Sequence, residues 1–287
     1  MRGPAGWAEW SPFAEYVAPE INPWWAAAVE AAAVGFPPPV RDAVGVNCTV
    51  PALGPEDAHA RAAASGCRTA KIKVADAGQT FADDVARVEA VRALVPVVRV
   101  DANGGWTVAE AAAAARALTA SGPLEYLEQP CATVPELAQL RRLIDVPVAA
   151  DESIRKASDP LRVVRERAAD VAVVKVAPLG GVSRLLDVAR QIDIPIVVSS
   201  ALDSAVGMTR GLLAAGCLPT LQHACGLGTG GLFVEDVADV ARSVDGFLPV
   251  GPVAPDPARL AGLAAAPARR DWWIERVREC YPVLETL

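Results

Sequence analysis

Short apolar runs rich in β-branched residues alternate with alanine-rich stretches from Val44 almost to Val250. Eight such runs recur at intervals of roughly 25 residues, and each interval has room for one helix and two loops. They lie at 44–47, 70–74, 97–101, 124–128, 146–151, 171–175, 194–199 and, more weakly, around 221–223. Nearly continuous apolar strands between helices predict a parallel sheet, and eight such units predict an α/β fold with a TIM-like (β/α)7-8 barrel. A doubly wound open sheet is the alternative, but no G-x-G-x-x-G motif follows the first run.

Two flanks, residues 1–43 and 251–287, lie outside the repeats and leave 44–250 as the barrel region. The first flank holds much of the aromatic content of the chain, namely Trp7, Trp10, Phe13, Tyr16, Trp24 and Trp25. The second flank begins rich in proline and ends in a predicted helix around 271–276. We expect the two chain ends to pack together as a small α+β capping domain. The alternative is that the aromatic side chains only cover one end of the barrel.

Composition and charge exclude several classes of protein. Hydrophobic residues make up 52% of the 287 residues and charged residues 21%, which predicts a folded chain with a sizeable core. The formal net charge of -7 argues against a nucleic-acid partner, which would require a basic face. The first residues lack the apolar segment of a secretory signal, and the longest uncharged stretch, 211–234, is interrupted by Gly and Pro. With six cysteines and no C-x-x-C pair, we expect a cytoplasmic protein with no membrane partner and leave its oligomeric state open.

Lysine is rare in this chain, since only Lys71, Lys73, Lys156 and Lys175 occur among 27 basic residues. Arginine evidently serves wherever only positive charge is needed. A lysine is expected to persist where a proton must be released and taken up at accessible pH, which arginine cannot do. Lys156 lies in a loop-like stretch and carries no such expectation. The other three lie in apolar, strand-like runs, which predicts a functional role for them.

Polar residues recur at or just before the carboxyl ends of the predicted strands: Asn47, Lys73, Asp101, Glu128, Asp151, Lys175 and Ser199. In a parallel barrel these ends open on one face, where the βα loops form the active site. Structural ion pairs are the alternative interpretation. Because burying so many charges at one mouth is costly unless they have a function, the pattern favours an active site.

Three carboxylates on successive strands, Asp101, Glu128 and Asp151, offer only oxygen ligands. Such a set selects a hard cation, Mg²⁺ first, with Mn²⁺ as a possible substitute. His59 is expected at the surface and His223 in the core, and neither is assigned to the metal.

Lys71 and Lys73 are two residues apart on one strand, so both side chains are expected to point into the barrel. Neighbouring ammonium groups depress each other's pKa, and a lysine with a depressed pKa can act as a general base. Lys175 is expected to face them across the cavity. A metal flanked by lysines suits abstraction of the proton α to a carboxylate, with the metal stabilising the enediolate.

Five motifs resemble the enolase superfamily in order and spacing: K-I-K at 71–73, V-D-A-N at 100–103, E-Q-P at 128–130, A-D-E-S at 150–153 and V-K-V at 174–176. Within that superfamily, the loop at 3–13 and the segments 178–181, 199–204 and 225–229 resemble the actinobacterial o-succinylbenzoate synthases. The resemblance covers nearly the whole chain. The capping domain of that family begins with strands ahead of the loop, so N-terminal strands are expected to be missing here.

The resemblance implies a complete reaction. Asp101, Glu128 and Asp151 would bind Mg²⁺, and Lys73 would remove the α-proton of 2-succinyl-6-hydroxy-2,4-cyclohexadiene-1-carboxylate. Lys175 would stabilise the enediolate through a cation–π contact. Loss of the hydroxyl would then give 2-succinylbenzoate, an intermediate of menaquinone biosynthesis. The supporting residues implied for base, metal and substrate are Lys71, Arg99 and Asn103, with Ser200, Gly226 and Gly228 at the succinyl end and Trp7 to Phe13 closing over it.

Three other functions stay open from the sequence. An N-acylamino acid racemase or dipeptide epimerase would use Lys73 and Lys175 as two bases, one on each face of the α-carbon. A non-catalytic barrel that serves as a binding protein would not need the carboxylates and lysines together. A Schiff-base lyase would use a barrel lysine as its nucleophile, although three nearby carboxylates suit a metal better.

Overall fold

Eight parallel strands close into a barrel in the computed structural model, which describes residues 1–155 and 159–284. In chain order the strands are β1 Arg2–Gly3, β2 Gly6–Trp7, β3 Ala43–Val50, β4 Thr69–Lys73, β5 Val97–Asp101, β6 Leu127–Glu128, β7 Val148–Ala150, β8 Val171–Lys175, β9 Ile196–Ser199, β10 Cys225–Gly228 and β11 Phe247–Pro249. Strands β3 to β10 lie side by side in chain order, and β10 pairs with β3 to close the barrel. The predicted barrel is therefore confirmed. Strand β11 pairs antiparallel with the amino-terminal end of β3, and β1 and β2 form a separate hairpin.

Helices connect the barrel strands along the chain and also occur in both terminal flanks. They are α1 Asn22–Val29, α2 Pro55–Ala64, α3 Phe81–Arg92, α4 Val108–Leu118, α5 Val134–Arg141, α6 Glu152–Arg155, α7 Arg162–Arg165, α8 Val176–Leu179, α9 Val182–Ala189, α10 Ala205–Cys217, α11 Pro257–Gly262 and α12 Pro267–Leu284. A π-helical turn, Glu30–Val34, continues α1, and a 3₁₀ turn, Gly230–Leu232, follows β10. Helices α3, α4 and α5 each begin with a capping box, in which a threonine and an acid three residues later bond each other's backbone N–H: Thr80 with Asp83, Thr107 with Glu110, and Thr133 with Glu136.

Alternation along the strands separates the core from the site. On β4, Ala70 and Ile72 point outward into an apolar core shared with α2, α3 and α4, while Lys71 and Lys73 point inward. One layer below the charged strand ends, the barrel interior is filled by a buried cluster of Tyr126, Ala149, Val171, Val173 and Val197. This packed layer forms the floor of the site.

The last barrel strand corrects one prediction. It runs over Cys225–Gly228 and not around 221–223, and its inward positions are both glycine. A Cβ on Gly226 would lie 2.5 Å from the Ser199 Oγ, and one on Gly228 would lie 2.2 Å from the Asn47 carbonyl oxygen. Strand β10 closes the barrel between β9 and β3, and this seam brings its backbone so close to both neighbours that only glycine fits at the inward positions. Glycine has a low strand propensity, which is why the sequence pattern misplaced this strand.

Side chains from both ends of the chain pack together. The Arg276 guanidinium on α12 donates to the carbonyl oxygens of Phe13, Ala14 and Tyr16 at 2.8–3.2 Å. The Trp10 ring meets the Trp273 ring edge-on at 5.6 Å. The boundaries 1–43, 44–250 and 251–287 stay predictions. No helix in the described part of the chain is both long enough and apolar enough to cross a bilayer.

Candidate active site

The carboxyl ends of β4 to β8 gather the predicted charged residues on one face of the barrel. Strand register sets Lys73 beside Asp101 and Asp101 beside Glu128, while Lys175 lies beside Ser199. Asp151 directly follows β7. Asn47 is the exception, because β3 continues to Val50 and leaves Asn47 in the middle of the strand.

Lys71 lies between two carboxylates. Its Nζ donates to Asp101 Oδ2 at 3.1 Å and to Glu128 Oε1 at 2.6 Å, and the side chain is buried. Burial opposes the ammonium form, but the charges of Glu128 and Asp101 outweigh it and hold the pKa of Lys71 well above its ordinary value. The depressed pKa expected for the lysine pair is therefore wrong for Lys71, which stays a structural cation.

Lys73 reaches the open mouth of the barrel. Its Nζ donates to Asp101 Oδ2 at 2.5 Å and to Asn103 Oδ1 at 2.6 Å, and 31% of its side chain is exposed. Burial alone would favour the neutral form of Asp101, but Lys71 and Lys73 hold the pKa of this carboxyl below its ordinary value. Lys73 is thus the inward lysine of β4 that a small molecule can approach.

Lys175 lies on the other side of the carboxylates, with β5, β6 and β7 between its strand and β4. Its Nζ donates to Asp151 Oδ2. Burial favours the neutral acid, but Lys175 and Arg155 hold the pKa of Asp151 below its ordinary value. In the middle of the row, burial together with the charges of Asp101 and Asp151 outweighs the pull of Lys71 and raises the pKa of Glu128 to about 7.

The donor set fits a hard divalent cation. Asp101, Glu128 and Asp151 are all buried, and Glu128 Oε2 has no hydrogen-bond partner within the described residues. The Lys71 ammonium group lies between Asp101 and Glu128, while Lys73 bonds Asp101 and Lys175 bonds Asp151. No cluster of three His, Cys, Asp or Glu side chains preformed for a metal occurs in residues 1–155 and 159–284. Metal binding at these residues would therefore compete with the lysine ion pairs.

The predicted residues of the succinyl end are brought together. Ser200 Oγ is 2.6 Å from Thr229 Oγ1, and the Ser200 backbone N–H donates to the Gly226 carbonyl at 3.0 Å. Gly228 closes the same strand. Thr229 completes this patch; it ends the segment 225–229 that carries the family resemblance, but no role was assigned to it from the sequence.

Arg99 lies beside Lys71 in the strand register, but its guanidinium points toward the amino-terminal end of the barrel and away from the row of Asp101, Glu128 and Asp151. Its guanidinium donates to Glu125 Oε2 at 2.8 Å, to the Tyr126 hydroxyl at 2.6 Å and to the Ala224 carbonyl at 2.9 Å. Glu125 and Tyr126 directly precede β6, and Ala224 directly precedes β10. The Arg99 guanidinium therefore lies at the amino-terminal end of the barrel. The structure does not bring it to the position expected of a residue that supports base or metal. His223 Nδ1 is 2.8 Å from Glu125 Oε1, and its side chain is only partly buried, which differs from the core position expected. His59 is exposed, as predicted.

Within the segment expected to close over the substrate, Phe13 and Glu9 reach the barrel, whereas Trp7 does not. The Arg155 guanidinium lies 5.8 Å from the Phe13 ring centroid, whereas Trp7 lies in the β1–β2 hairpin with Arg2 over its ring. Glu9, which lies in this segment but had no role of its own assigned from the sequence, accepts hydrogen bonds from the backbone N–H groups of Ser204 and Gly207 at 3.2 Å, at the amino end of α10. A carboxylate there is stabilised by the helix dipole, so Glu9 fastens the segment to the barrel.

Glu152, although part of the A-D-E-S motif, and Arg155 were given no role from the sequence. Arg155 Nη2 donates to Glu152 Oε1 at 2.7 Å, and Arg155 Nε lies 3.5 Å from Asp151 Oδ1. The available signal was the three-residue spacing of Glu152 and Arg155, because residues three apart lie on the same face of a helix.

Cavity volume does not mark this site. A cavity of about 460 Å³ opens between the segment after β10 and α11, lined by residues that include Phe233, Asp236 and Arg259. A space of only about 10 Å³ lies beside Lys175 and Arg210. The strand-end chemistry therefore outweighs volume in locating the active site.

Two family models match the sequence. The Enolase C-terminal domain-like model matches residues 55–265, and the Enolase N-terminal domain-like model matches residues 1–32. Among curated proteins, the o-succinylbenzoate synthase of Mycobacterium ulcerans is 66% identical over 286 residues, covering 99% of this chain and 87% of that protein. The o-succinylbenzoate synthase of Mycobacterium tuberculosis is 64% identical over 285 residues with the same coverage.

Solved structures share the architecture at lower identity. N-succinyl Arg/Lys racemase from Bacillus cereus superposes with a TM-score of 0.74 over 85% of this chain and 73% of that chain, and its 23% identity shows the fold alone. L-Ala-D/L-Glu epimerase from Bacillus subtilis gives 0.69 at 26% identity, over 80% of this chain and 70% of that chain. The match to the curated synthases covers 99% of this chain at 64–66% identity, far above its identity to the racemase and the epimerase. The chain therefore belongs to the o-succinylbenzoate synthase family of the enolase superfamily.

Proposed function

We propose that this protein dehydrates 2-succinyl-6-hydroxy-2,4-cyclohexadiene-1-carboxylate to 2-succinylbenzoate in menaquinone biosynthesis, with Mg²⁺ as cofactor. The observation that carries the proposal is a row of three buried carboxylates flanked by Lys73 on one side and Lys175 on the other. As a member of this family the protein is a hydro-lyase that acts on a small-molecule substrate.

Asp101, Glu128 and Asp151 are the proposed ligands of Mg²⁺, with Mn²⁺ as a possible substitute. When bound, the cation would neutralise the substrate carboxylate and the negative charge that develops on it during proton removal. Lys71 contributes by fixing two of these carboxylates, because it bonds both Asp101 and Glu128 and stays protonated.

Lys73 is the proposed general base that takes the α-proton onto Nζ. Its position at the open mouth and its hydrogen bond to Asn103 support the assignment, since the base must reach the substrate and stand in a fixed place. Lys175 approaches from the opposite side of the ring and stabilises negative charge by a cation–π contact with the substrate.

Substrate contacts away from the reacting carbon are proposed for two further regions. Ser200 and the backbone of Gly226 and Gly228 hold the succinyl end, supported by the hydroxyl and carbonyl groups that meet there. The segment from Trp7 to Phe13 closes over the substrate, supported by its attachment to α10 through Glu9. We place the reaction in the cytoplasm, because all six cysteines are free thiols.

The deciding experiment replaces each of two lysines by arginine. Lys73→Arg keeps the charge but cannot accept a proton, so dehydration and α-proton exchange with solvent should fall by about 10²–10⁴-fold. Lys175→Arg should retain more α-proton exchange, because that residue acts through its charge. Lys156→Arg is the matched control, since Lys156 lies outside the described residues and no role is proposed for it.

Thermal unfolding and a Mg²⁺ titration of each variant show whether the fold and the carboxylate row survive. Turnover near the wild-type value in Lys73→Arg would refute the assignment of the base. The assay also includes racemisation of an N-succinylamino acid, because a racemase would lose activity equally in both lysine variants.

A further inference from the structure

A continuous set of hydrogen bonds runs from Lys73 along the rim of the barrel. Lys73 Nζ donates to Asn103 Oδ1 at 2.6 Å, and Asn103 Nδ2 donates to Glu152 Oε1 at 3.1 Å. The same Glu152 oxygen accepts from Arg155 Nη2 at 2.7 Å. Glu152 is not one of the proposed metal ligands, yet it lies one side chain away from the proposed base.

The chemistry of these partners fixes the orientation of the Asn103 amide. An ammonium group can only donate hydrogen bonds and a carboxylate can only accept them. Asn103 therefore has to point its oxygen at Lys73 and its nitrogen at Glu152. The backbone is constrained as well, because Asn103 has a φ of 46° and its N–H donates to Asp101 Oδ1 at 3.1 Å.

Arg155 holds Glu152 in this position. Its guanidinium bonds Glu152 with one nitrogen, lies 3.5 Å from Asp151 Oδ1 with another, and donates to the Tyr16 hydroxyl with a third. The side chain of Arg155 is only 9% exposed. The Glu152 carboxylate is thus fastened on one side to the N-terminal segment and on the other to Asn103.

We propose that Glu152 is a positioning residue for the reaction, which sets the place of the Lys73 amine through the amide of Asn103. The inference rests on the proposed role of Lys73 as general base. Without the carboxylate, the amide of Asn103 is free to turn its nitrogen toward Lys73, where its N–H repels the ammonium form and occupies the lone pair of the amine form that has to take the α-proton. The amine loses its fixed direction toward the α-proton, which slows proton transfer and leaves substrate binding intact.

A double-mutant cycle tests this route. Glu152→Ala and Asn103→Ala are each expected to lower kcat about 10–100-fold, the usual effect of losing an outer partner of a catalytic group, with KM little changed. Because Glu152 acts through Asn103, the double variant should be no slower than the slower single variant. Glu152→Gln should retain most of the activity, since its amide oxygen can accept both hydrogen bonds.

A second measurement separates positioning from general damage to the fold. With substrate deuterated at the α-carbon, Glu152→Ala should show a larger isotope effect on kcat than the wild type, because proton removal becomes slower than the other steps. The matched control is Glu136→Ala, which removes a carboxylate from the capping box of α5. It should lower the unfolding midpoint without changing the isotope effect.

Losses that multiply in the double variant, or a wild-type kcat in Glu152→Ala, would overturn the proposal. Lys73→Arg is measured alongside. If it is inactive while Glu152→Ala is fully active, the base assignment stands and only the positioning role falls; if it is active, both fall. Should Glu152→Ala not fold, Glu152→Asp carries the same expectation, because a side chain shorter by one methylene cannot bridge Asn103 and Arg155.

Discussion

Glu125→Gln perturbs the charged network at the amino-terminal end of the barrel, whereas the lysines proposed as catalytic, Lys73 and Lys175, end their strands at the opposite face. Arg99 is fully buried there and donates to Glu125 Oε2 at 2.8 Å, while His223 Nδ1 lies 2.8 Å from the other carboxylate oxygen. The substitution keeps the size of the side chain and one acceptor. It removes the negative charge that compensates a buried guanidinium.

The expected loss of stability is large. Removing one partner of a buried ion pair typically costs 3–5 kcal/mol, because the other charge stays buried without compensation. The side chain of Glu125 is 20% exposed and glutamine still accepts a hydrogen bond, so we expect the lower end, about 3 kcal/mol. For a chain of this size that corresponds to a fall of about 6–12 °C in the unfolding midpoint.

The pH dependence of that loss has a definite sign. Burial favours the neutral acid, but the hydrogen bond from His223 and the charge of Arg99 hold the pKa of Glu125 below its ordinary value. A carboxylate with a depressed folded-state pKa stabilises the protein above the unfolded-state value of about 4.3 and loses that contribution as the pH falls through the folded-state value. The difference between wild type and variant should therefore be full at pH 7 and shrink below about pH 4.3.

The test is denaturant unfolding of wild type and variant at pH 7 and at a pH below about 4.3. The kcat of both proteins is measured at a temperature where both are folded. Glu166→Gln is the matched control, since it breaks an exposed pair with Arg162 and should cost less than about 1 kcal/mol. An unchanged midpoint in Glu125→Gln would show that the network does not hold Arg99. If the variant instead folds but is inactive, Arg99 supports the active site, as expected from the sequence.

Three further substitutions probe the mouth of the barrel. Glu128→Gln removes the central carboxylate and should lower both Mg²⁺ affinity and turnover sharply, and an unchanged calorimetric Mg²⁺ titration would show that Glu128 is not a ligand. Lys71→Arg should weaken Mg²⁺ binding and lower the unfolding midpoint by displacing Asp101 and Glu128, and normal values for both would refute its role in holding them. Glu9→Gln should cost about 0.5–2 kcal/mol of stability through the weakened cap of α10 and raise KM, and a wild-type KM would separate this contact from substrate closure.

The barrel was readable from the sequence because its strands are apolar, β-branched and evenly spaced. Strands β5 and β8 begin and end at the predicted residues. The charged residues of the mouth followed from topology alone, since parallel strands in a closed barrel present their carboxyl ends on one face. Strand β10 was misplaced because Gly226 and Gly228 are required by close contacts across the seam, and such contacts leave no apolar signature.

The remaining site features depend on packing between segments distant in sequence. Arg99 shares the inward face of β5 with Asp101, and only the three-dimensional placement of Glu125 and Ala224 shows that it serves the opposite end of the barrel. Glu9 meets α10 across 195 residues of chain. No local pattern specifies either partner, because the energy of these contacts is set by burial and by the geometry of loops.

Two of the four lysines of this chain lie on a single strand, and different physical reasons explain why each of them is a lysine. Lys71 persists although it is not suited to proton transfer, because two carboxylates keep it charged in a buried space that accommodates a compact ammonium better than a planar guanidinium. Lys73, two residues further along, reaches the mouth and bonds the Asn103 oxygen, where the proposed base has to lose and regain a proton, which arginine cannot do. Substitution by arginine should therefore separate the two residues: at Lys71 it should disturb the carboxylates and their metal affinity, whereas at Lys73 it should leave both intact and stop the removal of the α-proton.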